Sequence, residues 1–105
     1  MNRRIVVTGG SGRFGQILKK TKTKYKLFYP SKKQLDITNF EKIKSYLRKK
    51  RPRTLVHLAG LSRPMDEHKK NISKSIILNI IGTANLVRAC YDMNIKIIYF
   101  STSYV

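Results

Sequence analysis

Thr8-Gly9-Gly10-Ser11-Gly12-Arg13-Phe14-Gly15 separates a short β-branched run, Arg4 to Thr8, from a short helical stretch over about Gly12 to Lys20. A strand that ends in glycine and passes directly into a helix leaves the first amides of that helix without intrahelical partners. Those N–H groups and the positive end of the helix dipole attract an anion, and side chains in the turn would hold it away. Gly9 permits the tight turn, Gly12 the close approach of an anion to the backbone, and Gly15 the packing of helix on strand. Between a strand and a helix, this spacing predicts a dinucleotide pyrophosphate site rather than a plain glycine-rich turn.

Outward from that turn, strands and helices alternate, which is the pattern of a parallel sheet covered by helices on both faces. Tyr25 to Tyr29 reads as a second strand halted by Pro30. Thr38 and Glu41 have the spacing of a capping box, with Phe40, Ile43 and Leu47 behind them at helical intervals, and that helix should end before Pro52. Thr54 to Ala59 is the third strand. From Asp66 to Met93, the spacing of Ile72, Ile76, Ile80, Ala84 and Val87 predicts a long amphipathic helix, with Asp66 and Glu67 at its positive end and Asn94 as a left-handed stop. Ile95 to Phe100 is nearly all apolar, as in a central parallel strand buried on both faces.

The 105 residues fit one domain, and 41% hydrophobic content excludes a disordered tail. No apolar run reaches membrane-spanning length, and the N-terminus lacks a signal-peptide pattern, so a cytoplasmic location without membrane attachment is expected. Cys90, the single cysteine, falls in a helical apolar pattern and reads as a buried, inert thiol. A net charge of +18 suggests a polyanionic partner on its own. The basic residues are nevertheless dispersed along the chain, and no aromatic platform is interleaved with them. A solvated lysine-rich surface is therefore favoured over a nucleic-acid site.

Candidate site residues fall at the ends of the strands. After the second strand, where NAD-binding folds often carry an acidic residue, stand Ser31, Lys32 and Lys33, which suit the extra phosphate of NADP; the alternatives are NAD or ordinary loop lysines. Asp36 can accept from an adenine amino group while Ile37 covers the ring; the alternative is a capping role. Ala59 and Gly60 are small enough for a flat cofactor to pass over the sheet edge. His57, flanked by apolar residues, reads as a hydrogen-bonded structural histidine, and His68 likewise. The cluster Ser101-Thr102-Ser103-Tyr104 ends the last strand, at the edge where parallel sheets bind ligands. No metal-ligand spacing is visible.

Taken in order, the glycine turn, Leu35-Asp36-Ile37-Thr38, Asn79 with Gly82-Thr83, and Ser101 to Val105 resemble the first half of the extended short-chain dehydrogenases/reductases. Within them the likeness is greatest to the dTDP-4-dehydrorhamnose reductase group. The resemblance implies a Rossmann-type, doubly wound parallel α/β sheet over residues 1–105, truncated before the substrate-binding lobe. It implies that Gly12, Arg13 and Phe14 meet the pyrophosphate, Asp36 and Ile37 the adenine, and Gly60, Leu61 and Ser62 the nicotinamide side. Thr102 matches the family's catalytic hydroxyl, Ser103 a substrate-contacting position, and Asn79 a supporting asparagine, while His57 replaces a more usual asparagine. The family's acid is a tyrosine with a lysine four residues later, and no such pair follows the last strand. The implied function is the NADP-binding part of a nucleotide-sugar reductase or epimerase, inactive alone and paired with itself or with a complementing half. A cofactor-sensing module and a basic nucleic-acid-binding domain are the alternatives.

Overall fold

The computed structural model describes residues 2–9, 17, 19–60 and 72–102. Four strands, β1 (Arg4–Thr8), β2 (Lys26–Phe28), β3 (Thr54–Gly60) and β4 (Lys96–Thr102), form one sheet in the order β2-β1-β3-β4. All neighbouring pairs are parallel, with Val6 opposite both Phe28 and Leu55, and Leu55 opposite Ile97. Two helices, α1 (Phe40–Lys50) and α2 (Ile72–Asp92), complete the described elements. No helix among the described residues is long and apolar enough to cross a membrane.

Alternation along the strands sorts their side chains to two faces. Val6 and Leu55 pack with Leu35, Ile43, Leu47, Leu86, Ala89 and Cys90 into the core under α1 and α2. Ile5, Val7, Leu27 and Val56 face the other way, beside Thr21, Thr23 and Tyr25 of the β1–β2 connection. The chain therefore runs over one face between β1 and β2 and over the opposite face afterwards. That reversal puts a topological switch point between β1 and β3, the crevice where open parallel sheets take ligands.

Local chemistry explains where the helices stop. Arg51 takes a left-handed conformation at φ 50° and its N–H donates to Leu47 O, so α1 closes one residue before Pro52. Asn94, at φ 57°, ends α2 as the sequence predicts: Ile95 N–H donates to Cys90 O at 2.8 Å and Asn94 N–H to Tyr91 O at 3.3 Å, the paired bonds of a Schellman stop.

Three expectations need correction. Thr38 does not cap α1; Asn39 does, its side chain accepting from the Lys42 N–H at 3.1 Å. Thr38 is occupied elsewhere, donating through both its N–H and its hydroxyl to one oxygen of Asp36. The face of α2 is also different. Ile80 and Val87 are exposed along with Ala84, and the helix instead buries Gly82, Leu86, Ala89 and Cys90. Lastly, β4 is an edge strand of the described sheet, with Tyr99 and Phe100 about half exposed at 50% and 46%.

Candidate functional site

The strand ends gather at one edge, where Gly9 follows β1. Gly9 sits at φ 75°, where a side chain is strained, and a Cβ there would collide with the carbonyl oxygen of Leu58 on β3. Backbone is thus pressed against backbone across the β1–β3 switch point, and nothing larger than glycine fits. Gly12, Arg13, Phe14 and Gly15, the rest of the predicted pyrophosphate cradle, lie outside the described residues, as do Leu61, Ser62, Ser103 and His68.

Beneath this turn a buried polar chain ties three elements together. Thr8 is 4% exposed and His57 3%. Thr8 Oγ1 and His57 Nδ1 are 2.6 Å apart, and His57 Nε2 is 3.2 Å from Thr83 Oγ1 on α2. One proton assignment satisfies every group: Thr8 Oγ1 donates to Val56 O at 3.4 Å and accepts from Nδ1–H, while Thr83 Oγ1 donates to Nε2. Burial holds the His57 pKa below its ordinary value, which favours this neutral ring. Tyr99 of β4 leans on the ring with centroids 5.7 Å apart. His57 is therefore the hydrogen-bonded structural histidine the sequence suggests. Cys90 matches its reading too: it is buried, and its thiol pKa is pushed up to about 11 by desolvation.

The segment after β2 is held from both sides. Asp36 is exposed, and its carboxyl is kept below the usual range by the hydrogen bonds from the Thr38 hydroxyl and N–H, at 2.6 and 3.0 Å. Ile37 O accepts from Asn85 Nδ2 at 3.0 Å, and the Ile37 side chain fills the space over Gly82, where a Cβ would collide with it. α2 thus anchors the segment proposed to meet adenine. Ser31 and Gln34 close a small loop on one another, Ser31 N–H donating to Gln34 Oε1 and Gln34 N–H to Ser31 Oγ, with Lys32 and Lys33 exposed between them. Tyr29 precedes that loop with the Lys19 ammonium 5.1 Å from its ring centroid.

On the far side, Gly60 pairs in register with Thr102, and Ala59 with Ser101, so the backbone ends of β3 and β4 lie side by side. Asn79 is half-buried on α2. The structure thus brings Gly9, Asp36, Ile37, Gly60 and Thr102 to one edge of the sheet. Sequence reasoning names Thr8 and Thr83 within motifs but not their bonds to His57, and it missed Asn85; these three hold that edge together. Asn85 was findable, since it lies three residues past Gly82 on the same helix.

A family model described as RmlD substrate binding domain matches residues 3–105. GDP-L-colitose synthase of Yersinia pseudotuberculosis is 34% identical over 95 residues, covering 89% of this chain and 31% of that protein. The dTDP-4-dehydrorhamnose reductase of Bacillus anthracis, solved with NADP, superposes with a TM-score of 0.79 at 28% identity, covering 94% of this chain and 36% of that one. A GDP-L-fucose synthetase from Naegleria fowleri bound to NADP gives 0.72 at 30% identity, over 91% of this chain and 32% of that one. The chain therefore spans about a third of the length of these relatives.

Proposed function

Since the chain belongs to the RmlD substrate binding domain family, we propose that it is the NADP-holding part of a nucleotide-sugar reductase, over residues 1–105. The observation that carries this reading is the Gly9 turn: a left-handed backbone at the β1–β3 switch point, with the Leu58 carbonyl filling the only place a side chain could go. Such a turn lets a diphosphate approach main-chain N–H groups with no side chain between. The residues fit the cofactor. Gly9, Gly12, Arg13, Phe14 and Gly15 take the pyrophosphate, Asp36 and Ile37 the adenine, and Ser31 and Lys32 the additional phosphate. Ala59, Gly60, Leu61 and Ser62 take the nicotinamide side.

When bound, NADPH would supply the hydride for reducing the carbonyl of a 4-keto sugar nucleotide. The Thr102 hydroxyl donates a hydrogen bond to that carbonyl, Ser103 contacts the sugar, and Asn79 supports the site from α2. The register that sets Thr102 beside Gly60 supports this pairing of substrate and nicotinamide groups. The tyrosine–lysine pair that the resemblance calls for after β4 is not among these residues, so the 105 residues by themselves transfer no hydride in this reading. General acid–base groups contribute about two to four orders of magnitude. The exposed apolar row of Ile77, Ile80, Ile81, Val87 and Tyr91 on α2 supports association with a second copy or a complementing half.

The test is an NADPH titration followed by calorimetry. Saturable binding is expected, and Lys32→Glu with Lys33→Glu should weaken NADPH about tenfold while leaving NADH within twofold. Absence of saturable binding would remove the reading. Measurable turnover of a dTDP- or GDP-linked 4-keto sugar by these residues alone would remove the claim of inactivity.

A further inference from the structure

The basic residues that are scattered in the sequence converge in the fold. In a parallel sheet every strand starts at the same edge, and every helix returns the chain to it. The run from Lys19 to Lys26 leads into β2, the run from Arg48 to Arg53 leads into β3, Arg3 and Arg4 open β1, and Lys96 opens β4. Backbone bonds connect them strand by strand: Lys26 N–H donates to Arg3 O, Arg53 N–H to Arg4 O and Lys96 N–H to Arg53 O, at 2.8, 2.9 and 3.2 Å. Their side chains are exposed, apart from the half-buried Lys50.

Of the described carboxylates, that of Asp92, at the end of α2, stands at this edge. Among the described acidic residues, Asp36 and Glu41 lie on the opposite, strand-end side, and Asp92 pairs with Lys44 at 3.7 Å. Lys26 and Lys50 instead rest on one aromatic ring, Phe28, at 5.5 and 5.0 Å from its centroid. Arg4 pairs with Lys26 and Arg53 stands beside Arg4, so these three share one face at a strand spacing of about 4.8 Å, inside the screening length of about 8 Å at physiological salt, while Lys96 pairs with Thr54 and opens the other face of the same edge. These cations therefore repel one another in the free protein, and a ligand with closely spaced negative charges relieves the repulsion.

We propose that the strand-start edge bearing Arg3, Arg4, Lys26, Arg51, Arg53 and Lys96 is a docking surface for the phosphodiester backbone of a nucleic acid. Guanidinium forks match phosphate oxygens. A bilayer would need aliphatic side chains to insert, whereas among the described residues the exposed positions that open the strands, Arg3, Arg4, Lys26, Arg53 and Lys96, are all cationic. The surface lies across the sheet from the glycine turn, so the proposal does not rest on the cofactor reading.

The experiment measures binding of the full chain to a random-sequence DNA duplex of about 20 base pairs by fluorescence anisotropy. With about six phosphate contacts, affinity should fall about a thousandfold between 50 and 200 mM salt. Lys26→Gln, Arg53→Gln and Lys96→Gln together should lower the log–log salt slope by about 3 and the affinity at least tenfold. Lys42→Gln, in the first turn of α1 on the opposite edge, should change affinity less than twofold, and saturating NADPH should leave it unchanged. Circular dichroism melts confirm that each variant folds, and the wild-type salt slope stands without them. The proposal is overturned by any of four results: no duplex binding at 50 mM salt, equal loss in both variants, competition by NADPH, or binding to phosphatidylserine vesicles without binding to duplex.

Discussion

The hydroxyl of Thr8 and Nδ1 of His57 lie 2.6 Å apart in the core, one residue before the glycine turn. This bond joins β1 to β3 at the switch point, and Thr83 extends it to α2. Thr8→Val keeps the shape but leaves a buried ring nitrogen without its partner, which should cost about 2 kcal/mol. Urea denaturation should show this loss in the midpoint with the slope unchanged. Thr83→Val, at the longer and less buried end of the chain of bonds, should cost less.

Stability should also depend on pH through the same ring. Burial lowers the folded-state pKa of His57 below the ordinary value of 6.5. The unfolded chain therefore binds the proton first as pH falls, so stability rises with pH in the window between the folded pKa and 6.5 and is fully present above it. Melting temperature should fall as pH is lowered from 7.5 through 6. His57→Asn should flatten that part of the curve; an unchanged curve would assign the dependence to other groups.

The start of α1 offers a direct comparison of two adjacent residues. Asn39 caps the helix, so Asn39→Ala should destabilise the chain by about 1 kcal/mol. Thr38→Ala removes no cap and acts on Asp36, whose carboxyl should titrate at higher pH once the Thr38 hydroxyl is gone. Chemical-shift titration of the Asp36 side chain reads that change.

What the sequence made legible was local. The glycine turn, the β-branched strands and the left-handed stop at Asn94 each depend on a few consecutive residues. The outward face of α2 was not legible, because Ile76-Ile77-Leu78-Asn79-Ile80-Ile81 is apolar on nearly every side and its period marks a helix without marking a face. The cap at Asn39 was displaced by one residue because Asp36 engages the Thr38 hydroxyl, a choice between neighbours that spacing cannot make. The edge position of β4 and the gathering of the basic runs depend on strand order, which only the assembled sheet provides. At the site, Gly9 was readable from its turn, whereas Thr8, His57 and Thr83 meet only through register and packing.

Gly82 and Ile37 give a last test, one that separates packing from helix propensity. Alanine at an exposed helical glycine gains about 1 kcal/mol, but Gly82 is buried and a Cβ would collide with the Ile37 side chain. Overpacking costs about 1–3 kcal/mol, so Gly82→Ala should be destabilising on balance. It should also loosen the Asp36–Ile37 segment that Asn85 holds through Ile37 O. Ile37→Val removes the nearer of the two atoms in the way, Cδ1, and keeps Cγ1. In the wild type that change should cost roughly 1 kcal/mol, whereas in the Gly82→Ala background it should cost less or restore stability. A coupling above about 0.5 kcal/mol in the double-mutant cycle would establish the contact, and strict additivity would show that the helix moves away instead.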